Sequence, residues 1–222
     1  MSDRLQACYV DDIEDDADVR TVIYGTWGAG IETTIDPGIG AALGLQNLIA
    51  CTAINNTRFA IMWFDDISND ATFSIRDENS ASVIGAADID ADVGETSHVA
   101  ITSFNQNYFA MGWYDSVLQN IQIAIRDKDN NVILAPTIVD ANAGTNSRIA
   151  MATIKNISEQ LEWFVIAWND RNSDDIRAAV YNATGSLMQG PFVLASDENT
   201  TSLLFDIYGR NSLTGTNLCD NT

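Results

Sequence analysis

The chain has 222 residues, of which 46% are apolar and 9% aromatic, enough to bury a sizeable core in one domain or two small ones. Its 31 acidic residues against 11 basic residues give a formal net charge of −20. A field of this sign repels phosphate backbones and anionic lipids, so roles on nucleic acids or membrane surfaces are disfavoured. An Asp-rich, Lys-poor surface also suits a saline environment.

No stretch of the sequence predicts membrane insertion. The first ten residues contain no apolar signal core, and the most apolar run, from Ile39, spans 16 residues and is interrupted by Gln46 and Asn47. It is too short to cross a bilayer. Whether a leader preceded the chain stays open, and among compartments an extracellular or cell-surface location is favoured.

Short apolar runs recur in the same order along the chain. The runs centred on an aromatic residue are "QACYVDD", "FAIMWFDD", "FAMGWYDS" and "FVIAWNDR", around Tyr9, Trp63, Trp113 and Trp168. Each is followed by a second run ("TVIYG", "FSIRD", "IAIRD", "AAVYN"), a polar turn, a third run such as "PTIVDA" or "PFVLA", and a fourth run ("LIACTAI", "HVAITSF", "RIAMATI", "SLLFDIY"). The chain therefore consists of repeated units, and the repeated aromatic residues are separated by 54, 50 and 55 residues.

These runs predict β-strands. They are short, rich in Ile, Val, Phe and Trp, and bounded by Asn, Asp, Gly and Ser clusters, and no segment shows a sustained helical period. Turns are expected at "DENS" from Asp77, "DKDNN" from Asp127 and "NATG" from Asn182. In "FAIMWF" both alternating faces are apolar, so that strand should be covered on both sides, with the repeated aromatic residue packed between sheets.

Four strands in a repeat of about 50 residues resemble a blade of the propeller repeat proteins, and the resemblance covers nearly the whole chain. The resemblance implies an all-β fold: a four-bladed β-propeller of four-stranded antiparallel blades, in a single domain over residues 1–222 with approximate repeats 1–54, 55–104, 105–158 and 159–222. Hemopexin-like proteins are similar in blade count only, and the Asp-box pattern of sialidases is absent. No family's functional residues can therefore be carried over.

The repeat starts and stops out of phase with the chain, which predicts how the ring closes. Ser202–Tyr208 would pair with the strand around Ala7–Asp11, so that the N- and C-terminal strands share one blade and no edge is left exposed. The alternative is a half ring that completes an eight-bladed propeller by dimerising. A monomer is expected from the composite closure.

An Asp follows each repeated aromatic residue by two positions, at Asp11, Asp65, Asp115 and Asp170. An Asp at a strand end commonly accepts backbone N–H groups in the next turn, which is the structural interpretation. The functional interpretation is a ligand-binding ring of carboxylates on one rim. The turns after these Asp residues should share a face with the connections between blades, which begin at Asp88 and Asp140.

Asp88, Asp90 and Asp92 form D-x-D-x-D, a spacing that can direct alternate carboxylates at one hard cation such as Ca²⁺. The loop is similar to the calcium loops of integrin-type propellers, with the glycine displaced to Gly94. The default alternative is a solvated acidic loop. Calcium is thus the only cofactor that the sequence suggests.

Three cysteines do not form a disulfide framework. Cys51 occupies the repeat position of Ile101 and Met151, which predicts a buried apolar role. A bridge between Cys8 and Cys219 across the ring closure would imply an oxidising compartment, and two unrelated thiols are the alternative.

No catalytic signature stands out. The only histidine, His98, begins a strand and is expected to be a rim residue, and no phosphate loop or zinc spacing occurs. The sequence thus favours a non-catalytic binding or interaction module, using the acidic rim or the axial mouth, with a carbohydrate or a basic protein as ligand. The alternatives are a small glycoside hydrolase and a structural surface or particle subunit.

Overall fold

A computed structural model describes residues 5–11, 18–24, 31–36, 49–65, 67–94, 97–156 and 161–196. Within these ranges every regular element is a β-strand, as the sequence predicts. A search of the same ranges finds no helix of the length and apolar character that spanning a membrane requires.

The described residues form fifteen strands. In chain order these are β1 (Leu5–Asp11), β2 (Asp18–Tyr24), β3 (Ile31–Asp36), β4 (Ile49–Ala53), β5 (Arg58–Asp65), β6 (Asp70–Asp77), β7 (Ser82–Asp90), β8 (His98–Phe104), β9 (Tyr108–Asp115), β10 (Asn120–Asp127), β11 (Val132–Asp140), β12 (Ile149–Asn156), β13 (Leu161–Asp170), β14 (Asp175–Asn182) and β15 (Leu187–Ala195).

The strands build four antiparallel sheets of consecutive strands. β4 to β7, β8 to β11 and β12 to β15 each form a four-stranded sheet, and β1 to β3 form a three-stranded one. The register repeats from sheet to sheet: Trp63 pairs with Thr72, Trp113 with Gln122 and Trp168 with Arg177. The predicted strand rhythm of four per repeat is therefore confirmed, and the architecture is propeller-like.

The sheets stack face to face, and the core lies between them. One cluster joins residues of β5 and β6 to residues of β8 and β9, and another joins β8 to β10 with β12 to β14. Trp63, Trp113 and Trp168 are all fully buried at 0% exposure. Because both faces of the second strand are covered in each of these sheets, both faces are apolar, and the tryptophans pack between sheets as predicted.

The turns between third and fourth strands follow the predicted chemistry. Asp77 Oδ1 accepts the backbone N–H groups of Asn79 and Ala81, at 2.8 and 2.9 Å. Asp127 and Asn182 repeat this arrangement in the next two sheets. The fourth residue of each turn has a positive φ, at Ser80, Asn130 and Gly185. This conformation is why the turns are rich in Asn, Asp, Ser and Gly.

The predicted closure falls outside the described part of the chain. Ser202–Tyr208 and Cys219 are not among the described residues. The first sheet contains β1 at the position that β5, β9 and β13 hold in the other sheets, so its described strands correspond to the second, third and fourth strands of a blade.

Candidate functional site

Two sets of loops meet at one end of the sheets, and we call this end the acidic rim. It consists of the turns after Asp65, Asp115 and Asp170 and of the connections after Asp90 and Asp140. Backbone hydrogen bonds tie the two sets together: Ser116 N–H donates to Val93 O at 2.7 Å. The expectation that these loops share a face is thus confirmed for the described residues.

The repeated Asp residues after the tryptophans close their turns. Asp115 Oδ1 accepts the N–H groups of Val117 and Leu118, at 2.9 and 2.8 Å. Asp65 Oδ1 accepts two N–H groups in the same way, and Asp170 Oδ1 accepts that of Asn172. These bonds match the structural interpretation. Asp11 ends β1, but its side chain lies outside the described residues.

A second set of repeated carboxylates links neighbouring sheets, and the sequence did not single it out as a set. Asp90, which ends β7, accepts the Trp113 indole N–H on its Oδ2 at 2.8 Å. Asp140, which ends β11, accepts the Trp168 indole N–H at 2.9 Å. Each of these carboxylates precedes a positive-φ glycine by four residues, Gly94 and Gly144. The repeated Asp-x-x-x-Gly spacing is the sequence pattern from which this set of carboxylates could have been identified.

The Asp90 and Asp115 carboxyls lie near each other on the acidic rim. Asp90 Oδ2 also accepts a hydrogen bond from Gln122 Nε2 at 2.9 Å. Asp115 is only 3% exposed. Burial raises the pKa of the Asp115 carboxyl, and the negative charge of Asp90 raises it further, although the Leu118 and Val117 N–H groups oppose the shift.

The equivalent pair in the next sheet is neutralised by a cation. Arg177 stands at the register position of Gln122, and its guanidinium lies 3.3 Å from Asp170 and 3.9 Å from Asp140. Asp65, in the preceding sheet, is partly exposed and has Thr72 at the equivalent position. Among the described sheets, the buried carboxyl Asp115 therefore lies near a second carboxylate, Asp90, with Gln122 at the position where the next sheet has the cation of Arg177.

The D-x-D-x-D carboxylates are used separately. Asp88 Oδ1 accepts the Thr72 hydroxyl at 3.1 Å, whereas Asp90 is directed at Trp113 on the next sheet. Asp92 contributes its backbone N–H to Asp70 Oδ1. Within the described ranges no three acidic, histidine or cysteine side chains are grouped to hold a metal ion. The calcium site thus stays a prediction that the geometry does not support.

A polar depression lies at the end opposite the acidic rim. It has a volume of about 510 Å³ and is lined by Asn55, Asn56, Thr57, Asn105, Gln106, Asn107 and Glu162. The Glu162 carboxylate accepts the backbone N–H of Asn105. Strands of eight residues separate this depression from the acidic rim by about 25 Å, so a small ligand bound in it cannot contact Asp90 or Asp115. Sequence reasoning missed it because its lining comes from separate turns.

Neither a family model nor a curated protein sequence matches the chain. Solved structures with a similar fold include a triple arginine-to-alanine mutant of AofleA from Arthrobotrys oligospora, at 11% identity and a TM-score of 0.52. That match covers 87% of this chain and 60% of the other, so this chain spans less than two thirds of its length.

Two further structures are similar. An endo-arabinase from Bacteroides thetaiotaomicron VPI-5482 has 12% identity and a TM-score of 0.44, over 88% of this chain and 82% of the other. The catalytic domain of the Coprinopsis cinerea GH62 alpha-L-arabinofuranosidase has 8% identity and a TM-score of 0.42, over 94% of this chain and 69% of the other. At such identities similarity shows the fold alone.

The expectation of a non-catalytic binding or interaction module is wrong. The similar structures named above include an arabinase and an arabinofuranosidase, which are enzymes and not binding modules. The physical reason for the error is that the sequence shows many carboxyl groups but does not show which of them are buried or lie close together. No substrate and no catalytic residue is transferred by the comparison.

Proposed function

We propose that this protein is a glycoside hydrolase whose acid–base chemistry is carried by Asp115 and Asp90 on the acidic rim. The observation that carries the proposal is the pair itself: a buried carboxyl with a raised pKa beside a second carboxylate. Glycoside hydrolysis needs one carboxyl that stays protonated and one that stays ionised. Different surroundings assign these roles within the pair.

Asp115 is the proton donor in this proposal. Burial disfavours its ionised form, so its carboxyl retains a proton at a pH where an exposed aspartate has lost it. It would protonate the glycosidic oxygen as the bond to the anomeric carbon breaks. The N–H groups of Val117 and Leu118 bond to Asp115 Oδ1, so the transferable proton would be carried on Oδ2.

Asp90 is the second carboxyl group in this proposal. Hydrogen bonds from Trp113 Nε1 and Gln122 Nε2 hold its Oδ2 in place. Its Oδ1 would either take a proton from the attacking water or bond to the anomeric carbon. Arg177 in the adjacent sheet forms ion pairs with the equivalent carboxylates, and this supports assigning the chemistry to Asp90 and Asp115.

The test is a hydrolysis screen with the full chain. Aryl glycosides, including an aryl alpha-L-arabinofuranoside, and neutral polysaccharides are incubated with the protein, and released phenol or reducing ends are measured. We expect hydrolysis of at least one substrate, with a rate that falls on the alkaline side as Asp115 ionises. Release no faster than in buffer across the panel would contradict the proposal.

We also propose that the chain is a single domain closed as a four-bladed ring. The support is that the first described sheet has only the second, third and fourth strands of a blade, and "SLLFDIY" at Ser202–Tyr208 aligns with β4, β8 and β12. Deleting residues 201–222 should therefore unfold the first sheet and broaden its amide NMR signals. A truncated chain as stable as the full one would rule this closure out.

A further inference from the structure

Two cysteine thiols meet at the interface between the first and second sheets. Cys8 lies on β1 and Cys51 on β4. Both pack against the same buried cluster, which contains Ile35 of the first sheet with Phe59, Ile61 and Trp63 of the second. The two side chains lie within hydrogen-bonding distance of each other. The expectation that Cys51 is simply a buried apolar residue is thus incomplete, because its side chain faces a second thiol.

The repeat shows that this contact is built into the fold. Cys8 and Cys51 correspond to Met62 and Ile101 at the next interface, and both of those residues belong to one buried cluster. At the third interface the corresponding residues are Gly112 and Met151. A Cβ on Gly112 would lie 2.8 Å from Met151 Sδ, so the methionine fills the space opposite the glycine. The same two positions therefore oppose each other at all three described interfaces.

We propose that Cys8 and Cys51 form a disulfide that covalently joins the first sheet to the second. At the next interface this position pair is filled by two large apolar side chains, Met62 and Ile101, and at the third by Met151 opposite Gly112. Two cysteines are smaller than the Met62 and Ile101 pair and similar in size to the Gly112 and Met151 pair, and a bridge between them would hold the interface through a covalent bond. Both thiols are partly exposed, which permits access by a small oxidant.

The oxidant in this proposal is a low-molecular-weight disulfide such as oxidised glutathione. The Cys51 thiolate attacks one sulfur, which breaks the reagent's S–S bond, forms a mixed disulfide and releases one thiolate. Cys8 then loses its proton and displaces the second thiolate, so two protein thiols are oxidised and one reagent disulfide is reduced to two thiols. The hydrogen bond from Cys8 lowers the pKa of Cys51, whereas that hydrogen bond and burial raise the pKa of Cys8. Cys51 is therefore the attacking group.

The test is disulfide mapping on the full chain. Trypsin would place the three cysteines in separate peptides, residues 5–20, 21–58 and 211–222. After incubation with oxidised glutathione, free thiols are blocked with N-ethylmaleimide and the digest is measured by mass spectrometry without reduction. We expect peptide 5–20 linked to 21–58, and peptide 211–222 carrying the blocking group. Blocked thiols on all three peptides, or a link between 5–20 and 211–222, would overturn the proposal.

Thermal melting gives a second readout and supplies the control. The oxidised chain should melt about 5 °C or more above the reduced chain, because the bridge closes a loop from Cys8 to Cys51 and limits the unfolded state. Cys219→Ser is the matched control and should keep this shift, while Cys51→Ser should abolish it. A shift that survives in Cys51→Ser and is lost in Cys219→Ser would assign the bridge to the C-terminal cysteine and refute the Cys8 to Cys51 pairing.

Discussion

Replacing Trp113 by Phe should cost more stability than replacing Trp63 by Phe. Both indoles are fully buried at 0% exposure, so both substitutions lose a similar apolar volume. The Trp113 indole N–H donates to Asp90 Oδ2 at 2.8 Å, whereas the Trp63 indole N–H has no hydrogen-bond partner among the described residues. Trp63→Phe is therefore a control that has the same packing loss and breaks no hydrogen bond; it also removes a buried unsatisfied N–H, which can only widen the difference.

The expected difference follows from that single bond. A hydrogen bond to a charged group contributes about 1.5–3 kcal/mol. Asp90 keeps the bond from Gln122 Nε2 after the substitution, which limits its desolvation cost. Trp113→Phe should thus lower the free energy of unfolding by about 1.5–3 kcal/mol more than Trp63→Phe does. Trp168→Phe should behave like Trp113→Phe, because the Trp168 indole N–H donates to Asp140 at 2.9 Å.

Urea unfolding followed by far-ultraviolet circular dichroism measures these differences, since it does not depend on the fluorescence of the substituted tryptophan. In a separate thermal melt, each kcal/mol of lost stability should lower the Tm of a chain of this length by about 2–4 °C. Equal losses for Trp63→Phe and Trp113→Phe would show that the bond between Asp90 and the indole contributes nothing, and the linkage between sheets would have to be attributed to packing alone.

Three further predictions concern the rim, the core and the charge. Burial raises the pKa of Asp115 above its value in the unfolded chain, so its stabilising contribution is complete below about pH 4 and is lost as the pH rises through the folded pKa. The Tm of Asp115→Asn relative to the parent should therefore rise between pH 4 and pH 7. A Tm difference that stays constant over this range would refute the prediction. Gly112→Ala should lower stability by about 1–3 kcal/mol in urea unfolding, because the new Cβ would lie 2.8 Å from Met151 Sδ and 3.1 Å from Ile166 Cδ1; an unchanged midpoint would show that Met151 moves away at no cost. Because the net charge is −20, the Tm of the protein should rise as NaCl increases from about 20 mM to about 0.5 M. A Tm that does not change with NaCl concentration would mean that the carboxylates do not repel one another appreciably.

The repeat and its strands were accessible from sequence because one physical rule recurs. A strand covered on both sides must be apolar on both faces, and the runs around Trp63, Trp113 and Trp168 meet this rule in each of their sheets. The turn residues were equally accessible, since Asp77 and Asp127 accept the N–H groups that their own turns expose. These features depend on neighbours close in the chain.

The candidate site was less accessible because its contacts join different sheets. The D-x-D-x-D spacing predicts that Asp90 belongs to a calcium loop. Only the packing of β7 against β9 shows that Asp90 instead accepts the Trp113 indole N–H. The pairing of Cys8 with Cys51 instead of Cys219 likewise depends on which strands face each other across an interface. The raised pKa of Asp115 depends on burial, which the repeated Asp pattern cannot reveal because Asp65 has the same sequence position and a partly exposed side chain.

The most direct test of the proposed hydrolase compares Asp115→Asn with Asp65→Asn on whichever glycoside the screen identifies. Both residues follow a buried tryptophan by two positions and accept N–H groups of their own turns, and Asn retains an oxygen for those bonds. Asp115 is buried and has a raised pKa and a neighbouring carboxylate, Asp90, whereas the Asp65 side chain is partly exposed. Loss of a general acid should lower kcat by about 10²–10⁴-fold in Asp115→Asn, while Asp65→Asn should keep the parent rate. Equal rates for the two variants would contradict the assignment of the chemistry to Asp115.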